Sequence, residues 1–263
     1  MDTVKIFIII CAALYFSASA FYILKKNSIA YVIHFASFLV NAGLITVNWV
    51  HNGYVPFISM YQVLTFTAAC FSITYLYAHF VNKEKWMARY FALCAGFVMI
   101  GSFFSYTTLT WYRPPALRSV WFIPHVALYM IGYPLCAVSF VLCLVKFYKT
   151  LCDRRKAEAD KADMKKYDVG IYNVVRLAFP FITSGMLVGA IWANEIWGQY
   201  WSWDAKENWA LVTWLFYTIY LHCYRTPKLR KIMYVFAVLG FLALLMTLFG
   251  INLFANSSQH AYS

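Results

Sequence analysis

The sequence has few charged residues. Only 12% of its 263 residues are Asp, Glu, Lys or Arg, whereas 63% are hydrophobic. A soluble domain of this length does not need so much apolar surface, so the composition excludes a soluble globular protein. Apolar runs of about 20 residues, long enough to cross a hydrocarbon core about 30 Å thick, recur along the chain. The sequence therefore predicts an integral membrane protein.

Closely paired cysteines are also absent. The seven cysteines include no C-x-x-C pair and no C-x-x-C-H sequence. This argues against a thiol–disulfide carrier and against covalent attachment of haem to this chain. There is no repeat of fixed period and no low-complexity tract, and most connections between the apolar runs are too short to fold alone. We therefore expect a single polytopic membrane domain over residues 1–263.

The apolar runs predict the fold class. Lipid offers the backbone no hydrogen-bond partners, and the runs are too long and too uniformly apolar to be barrel strands. The sequence thus predicts an all-α integral membrane protein with about eight transmembrane helices. The predicted spans are 4–24, 29–50, 59–81, 87–107, 124–147, 177–196, 207–224 and 232–253.

Acidic residues are scarce, and the net charge is +12. Of the 22 Lys and Arg residues, 18 lie on alternate connections, many of them in the charged loop at about 148–176. The positive-inside rule makes that side cytoplasmic and places both termini on the outer, extracytoplasmic side. The charged loop favours helix formers, and we interpret it as a solvated helical extension. Because the basicity follows membrane topology, no nucleic-acid partner is predicted.

Tryptophans concentrate in one outer region. Six of the ten lie within about 192–214, beside charged residues that a membrane interior would reject. An aromatic belt explains the location, and Asp204 with Glu207 matches a capping box that starts a helix. Neither explains the density of tryptophans. One interpretation is a platform for a large flat ligand such as a porphyrin, whose propionates would pair with Arg113, Arg118 or Lys206.

The predicted topology sorts the six histidines. His51, His125 and His260 belong to the outer side, whereas His34, His79 and His222 lie in the inner half of the membrane or near its inner end. Two opposed imidazoles can hold a haem iron axially. His125 and His260 are candidates for such a pair, although each is also explained as a polar interface residue or a solvated tail residue. An ionisable residue at the depth of His222 normally has a partner or a role.

The stretch from Trp197 to Trp214, W-G-Q-Y-W-S-W-D-A-K-E-N-W-A-L-V-T-W, resembles the WWD signature of haem-handling proteins of cytochrome c maturation. It is most similar to the CcsA (ResC) branch. The segments Pro115–Ser119 with Trp121, His125 with Val126, and Tyr220–His222 also fit this branch, as does Gly250 with His260. The resemblance covers the chain from about residue 53 onward. One departure is Gln62, where the family usually has an acid.

This resemblance implies cytochrome c biogenesis by System II. Haem would move from the cytoplasmic side to the outer face, where the WWD loop would present it to the C-x-x-C-H thiols of apocytochrome c. The chain would then be part of a holocytochrome c synthase (cytochrome c haem lyase), together with a CcsB (ResB)-type membrane partner. Its contribution would be the positioning of haem, since no protein nucleophile is implied. The expected location is the bacterial inner membrane, or the thylakoid membrane in a plastid.

The resemblance also implies roles for individual residues. His125 and His260 correspond to the outer axial ligands of non-covalent haem b. His222 corresponds to an intramembrane iron ligand whose counterpart comes from the partner protein. The other expected haem contacts are Arg118, Trp121, Trp197, Trp201, Trp203, Asp204 and Trp209.

Three other functions remain open. A CcmC-like protein would hand haem to a chaperone, but such proteins resemble six-span chains without the K-E-N-W-A-L-V-T-W continuation. A b-type electron-transfer cytochrome would need paired histidines on facing helices inside the membrane. A transporter with an aromatic outer gate would leave the histidines without iron.

Overall fold

The computed structural model describes residues 3–107, 112–152 and 160–250. These residues are overwhelmingly helical, and none of them forms a β-strand. The prediction of an all-α fold is therefore confirmed. The described residues contain eight α-helices: α1 (Thr3–Ile23), α2 (Asn27–Asn52), α3 (Met60–Phe80), α4 (Ala88–Phe103), α5 (Phe122–Cys152), α6 (Asp160–Trp197), α7 (Ala205–Arg225) and α8 (Met233–Leu245).

Seven helices of the described ranges are long and apolar enough to cross a membrane. They correspond to α1–α6 and to α8 with its π-helical continuation Met246–Gly250. The remaining predicted span, 207–224, is present as the 21-residue helix α7 but is not one of the seven. The count of eight spans and the outer location of both termini stay predictions.

Two helices extend far beyond the apolar runs that predicted them. α6 has 38 residues and begins at Asp160, although its predicted span starts at residue 177. α5 continues to Cys152, at the N-terminal end of the charged loop, although its predicted span ends at residue 147. The charged loop is therefore helical over its described residues near both ends, as expected for a solvated extension. The middle of the loop lies outside the described residues.

The chain divides into two compact units, the first ending at Pro134 and the second beginning at Leu135, inside α5. The prediction of a single polytopic domain is not tested by this division. In the first unit, α1 packs against α2 and α4, and α3 packs against the same two helices. The closest approach is between α1 and α4, where a Cβ atom added at Gly96 would lie 2.8 Å from the Phe16 ring. Only glycine fits there without displacing the ring.

The second unit is built around α7. This helix packs against α6 on one side and α8 on another. Phe140 of α5 stacks on Phe241 of α8, with ring centroids 4.7 Å apart. Lys146 of α5 pairs with Asp168 of α6 and also donates to the Tyr234 hydroxyl of α8. These contacts join α5, α6, α7 and α8 within the second unit.

Candidate functional site

The tryptophan segment, residues 192–214, consists of the end of α6, a short loop at 198–204 and the start of α7. Gly198 ends α6: its φ is +74° and its N–H donates to the Asn194 carbonyl at 2.9 Å. A glycine adopts this left-handed conformation without steric cost. After Gly198 the chain has five residues in which to reverse direction before Asp204 occupies the N-cap position of α7.

Glu207 organises this loop. One of its carboxylate oxygens, Oε2, accepts hydrogen bonds from the Ser202 backbone N–H at 2.8 Å, the Ser202 hydroxyl at 3.2 Å and the Asp204 backbone N–H at 3.2 Å. The predicted capping box of Asp204 and Glu207 is thus present. It satisfies N–H groups that the first turn of a helix leaves without partners. The acid at 207 therefore shapes the loop that carries the aromatic rings.

Trp203 is held in an unusual backbone conformation. Its φ is +59°, and its carbonyl accepts a hydrogen bond from the Asn208 side-chain amide at 2.9 Å. Its side chain is 69% exposed, and its ring lies edge-on to Trp201 at 6.0 Å. A large aromatic residue rarely adopts positive φ, because its Cβ crowds the following carbonyl. The loop therefore holds Trp203 in a strained conformation, with its indole ring exposed.

The structure separates the tryptophans into two groups. Trp192 is 4% exposed and packs edge-on against Trp197 at 5.1 Å, so it belongs to the helix core. Trp214 donates to the Thr183 hydroxyl at 3.0 Å. By contrast, the indole nitrogen of Trp201 is buried without a protein acceptor among the described residues. Trp201 and Trp203 are therefore better placed to contact a ligand than Trp192 or Trp214.

Lys206 supplies a cation in the first turn of α7. Burial lowers the pKa of its ammonium group to about 8, and the nearby Asp204 carboxylate opposes this shift. The group is charged at neutral pH but becomes neutral more easily than an exposed lysine. It could therefore pair with a carboxylate of a bound ligand at neutral pH.

His222 lies on an exposed face near the C-terminal end of α7. Its Nδ1 is 2.8 Å from the Thr218 carbonyl oxygen. A carbonyl oxygen only accepts, so Nδ1 carries the proton, and in the neutral imidazole Nε2 keeps its lone pair. This is how a metal-binding histidine is usually oriented: one nitrogen donates to a backbone carbonyl and the other faces the metal.

In the first unit, the predicted site residues lie in a turn and at a helix start. Arg113 donates from Nε and from a terminal nitrogen to the Leu117 carbonyl, at 2.9 and 2.6 Å. Arg113 therefore stabilises the turn, and Arg118 is the more exposed of the two arginines. Trp121 is 39% exposed. The half-buried His125 follows in the first turn of α5, with its ring edge-on to Tyr129 at 5.2 Å.

His260 lies outside the described residues, so its pairing with His125 stays a prediction. The neighbourhood of His125 and the tryptophan segment stays a prediction as well. No residue within the described ranges contradicts the site predicted from the sequence.

Gln62 occupies the third position of α3. Its side-chain oxygen accepts from the backbone N–H groups of Ile58 at 3.1 Å and Ser59 at 3.2 Å. Either glutamine or glutamate fills this position of a capping box. The departure from the family pattern therefore keeps the helix-start contacts. It removes the charge and leaves the buried side-chain nitrogen of Gln62 without a hydrogen-bond partner among the described residues.

His34 and His79 of the first unit are part of a polar network that sequence reasoning missed. His34 pairs through Nδ1 with the Tyr22 hydroxyl at 3.5 Å and through Nε2 with the Ser72 hydroxyl at 3.1 Å. The Tyr75 hydroxyl lies 2.8 Å from Nδ1 of His79. The spacing of the buried residues His34, Asn41 and Asn48 on α2 was the available signal, since positions seven apart share one helix face.

Comparisons with known proteins agree with one of the predicted functions. The family model described as cytochrome c assembly protein matches residues 57–257. The CcsA cytochrome c biogenesis protein of Chlamydomonas reinhardtii is 32% identical over 252 residues, covering 91% of this chain and 69% of the relative. The CcsA of Atropa belladonna is 32% identical over 251 residues, covering 82% of this chain and 80% of the relative.

Among solved structures, the cytochrome c haem lyase CcmF has the same fold. The TM-score is 0.67 at 17% sequence identity. The alignment covers 94% of this chain and 45% of CcmF, so the chain spans less than half the length of that protein.

Proposed function

Because the chain belongs to the cytochrome c assembly protein family and resembles its CcsA members, we propose that it conducts haem b across the membrane. It receives haem on the cytoplasmic side and presents it on the outer face for thioether attachment to the C-x-x-C-H thiols of apocytochrome c. It acts with a CcsB (ResB)-type membrane partner, as part of a holocytochrome c synthase. The membrane is the bacterial inner membrane or the thylakoid membrane.

His222 is the observation that carries this proposal. Its Nδ1–H is committed to the Thr218 carbonyl, so the lone pair of Nε2 faces away from the helix backbone on an exposed face. An imidazole in this state is a ligand for haem iron. The second ligand comes from the partner chain, as the resemblance to the CcsA family implies.

The remaining residues hold and orient haem at the outer face. His125 and His260 provide the axial pair there, and the half-buried ring of Trp201 and the exposed ring of Trp203 cover the porphyrin. Lys206 and Arg118 pair with the propionates. The chain supplies no nucleophile: the thiols belong to the apocytochrome, and the chain brings the vinyl groups to them in a fixed orientation.

An electron-transfer cytochrome with two intramembrane histidines on this chain is less well supported. His34 is the most buried of the histidines that the structure describes, and both of its ring nitrogens already have hydrogen-bond partners. The one lone pair of its neutral imidazole is not available to iron without breaking that network.

The test is the absorption spectrum of the complex purified with its partner. The wild type is expected to carry non-covalent haem with a bis-imidazole spectrum. His222→Ala should lower haem occupancy at both sites, because it blocks the route. Replacing both His125 and His260 by Ala should abolish cytochrome c maturation and spare the haem at His222. His51→Ala is the matched control and should change neither. A haem-free wild-type complex, or normal outer occupancy in His222→Ala, would overturn the proposal.

A further inference from the structure

One exposed face of α7 is apolar at one end and positively charged at the other, which complements the apolar and anionic edges of haem. Leu215, Ile219, His222 and Arg225 succeed one another at spacings of four, three and three residues, so they share one face. Leu215 is 44% exposed and Ile219 is 38% exposed. The other side of the helix is buried, at Thr213, Tyr217, Tyr220 and Cys223. This face thus runs from apolar residues, through an imidazole, to a guanidinium at the inner end of the helix.

Arg225 differs from the other arginine of this region. It forms no hydrogen bond or ion pair with any residue in the described part of the chain, and it is exposed. Arg230, by comparison, donates from Nε to the Tyr224 carbonyl at 2.9 Å and lies over the Tyr224 ring at 5.4 Å. Arg230 is held by its own neighbours, whereas the whole guanidinium fork of Arg225 is available to an external carboxylate.

The spacing along the helix matches the distribution of polarity on a porphyrin. With a rise of about 1.5 Å per residue, Arg225 and Ile219 each lie about 4.5 Å from His222 along the axis, in opposite directions, and Leu215 lies about 10.5 Å away. Haem carries two propionates on one edge and its vinyl groups on the apolar part of the ring. An iron bound at Nε2 of His222 would place the ring along this face, with polar and apolar edges at opposite ends.

We propose that Arg225 binds a haem propionate and fixes the orientation of haem at His222, with the propionate edge toward the inner end of α7 and the vinyl edge toward its outer end. This inference rests on the proposed function. Arg225 is then a positioning residue, acting on the side of the porphyrin that does not react. The opposite orientation would put two carboxylates against the apolar side chains of Ile219 and Leu215.

This orientation has a consequence for the reaction. The vinyl groups are the carbons that form thioethers with the apocytochrome thiols. Haem that leaves His222 toward the outer face therefore travels with its reactive edge leading. Haem then needs no rotation within the membrane before its vinyl groups reach the thiols. Arg225 thus sets the orientation of haem before the reaction begins.

The test compares haem with haem dimethyl ester, whose propionates carry no charge. Both are titrated into the purified complex in which His125 and His260 are replaced by Ala, so that the spectrum reports the site at His222. The complex with Arg225 intact should prefer haem about tenfold, the effect of one charged hydrogen bond. Arg225→Gln should remove this preference by weakening haem binding alone, and Arg225→Lys should restore part of it. Lys228→Gln is the matched control and should keep the preference.

The outcomes separate the two proposals. The role of Arg225 would be overturned if Arg225→Gln preferred haem over its dimethyl ester as strongly as the complex with Arg225 intact. Haem binding at His222 would then still stand. Absence of any signal that depends on His222 would overturn the proposed function itself.

Discussion

The indole nitrogen of Trp214 donates a 3.0 Å hydrogen bond to the Thr183 hydroxyl, and this bond fastens α7 to α6. The Trp214 ring also stacks on Phe179 of α6, with ring centroids 5.6 Å apart. One of the six tryptophans of the segment therefore stabilises helix packing. Its position in the family motif does not by itself make it a ligand contact.

The first prediction follows from this pair. Trp214→Phe keeps an aromatic ring on Phe179 but loses the hydrogen bond, and we expect the free energy of unfolding to fall by about 1 kcal/mol. Thr183→Val should have a similar effect, and the double variant should lose no more than the single variants together. Unfolding in mixed detergent measures this. Unchanged stability in both single variants would show that the bond contributes nothing.

Glu207 offers a second prediction. Its carboxylate receives three hydrogen bonds from the loop, so Glu207→Ala should destabilise the start of α7 by about 1–2 kcal/mol. Glu207→Gln keeps an acceptor oxygen and should have the smaller effect. Amide hydrogen exchange at Ser202 and Asp204 is the direct readout, since both amides donate to this residue. Exchange as slow in Glu207→Ala as in the wild type would contradict the assignment.

Trp203 should show opposite effects on stability and ligand binding. Its φ of +59° is strained for an aromatic residue and free of strain for glycine. Trp203→Gly should therefore relieve about 1 kcal/mol of backbone strain while removing an exposed ring from the loop. We expect thermal stability to hold or rise, and haem binding at the outer site to weaken. Trp203→Phe is the control, because it keeps both the strain and a ring.

Lys206 predicts a pH dependence. Its pKa is lowered to about 8 by burial, so its positive charge is present at pH 7 and is largely lost by pH 9. A bound carboxylate would raise this pKa, so the midpoint in the complex should lie at or above 8. Haem affinity at the outer site should therefore fall as the pH rises from about 7 to 9. Lys206→Arg should flatten the profile, because arginine stays charged; an equally steep profile would exclude Lys206 as the titrating group.

His34 predicts a structural effect without an effect on haem. His34→Phe keeps a ring stacked on Tyr75, now 5.6 Å away at an interplanar angle of 17°, but loses the hydrogen bonds to Tyr22 and Ser72. His34→Leu loses both the bonds and the stack. We expect stability to fall by about 1 kcal/mol for Phe and further for Leu, with an unchanged haem spectrum. Loss of intramembrane haem in the Phe variant would instead identify His34 as an iron ligand.

Hydropathy predicted the helices well, because a backbone in lipid must satisfy its own hydrogen bonds. The predicted run 29–50 became Asn27–Asn52, and 207–224 became Ala205–Arg225. The start of α7 was also predictable, since the capping box of Asp204 and Glu207 is a local pattern. The proposal of His222 as a haem ligand came from the motif around it.

The faces of the helices were not predictable. In a soluble helix, polar residues mark the outside, but in a membrane both the lipid face and the packed face are apolar. Hydropathy therefore could not show that His34 is buried in a network while His222 is exposed. For the same reason the tryptophans could not be ranked: the contact between Trp214 and Thr183 joins two helices and leaves no trace in the sequence around either residue.

The close approach of Phe16 to Gly96 limits how the protein can be recombined. α1 lies before residues 57–257, the part matched by the family model, and α4 lies inside it. An N-terminal helix taken from a relative will therefore fit only if the side chain at position 16 and the side chain at position 96 can pack together without overlap. The two positions must therefore be exchanged together. A chimera that takes them from different proteins should fail to assemble its first unit even when every residue of the proposed haem route is kept.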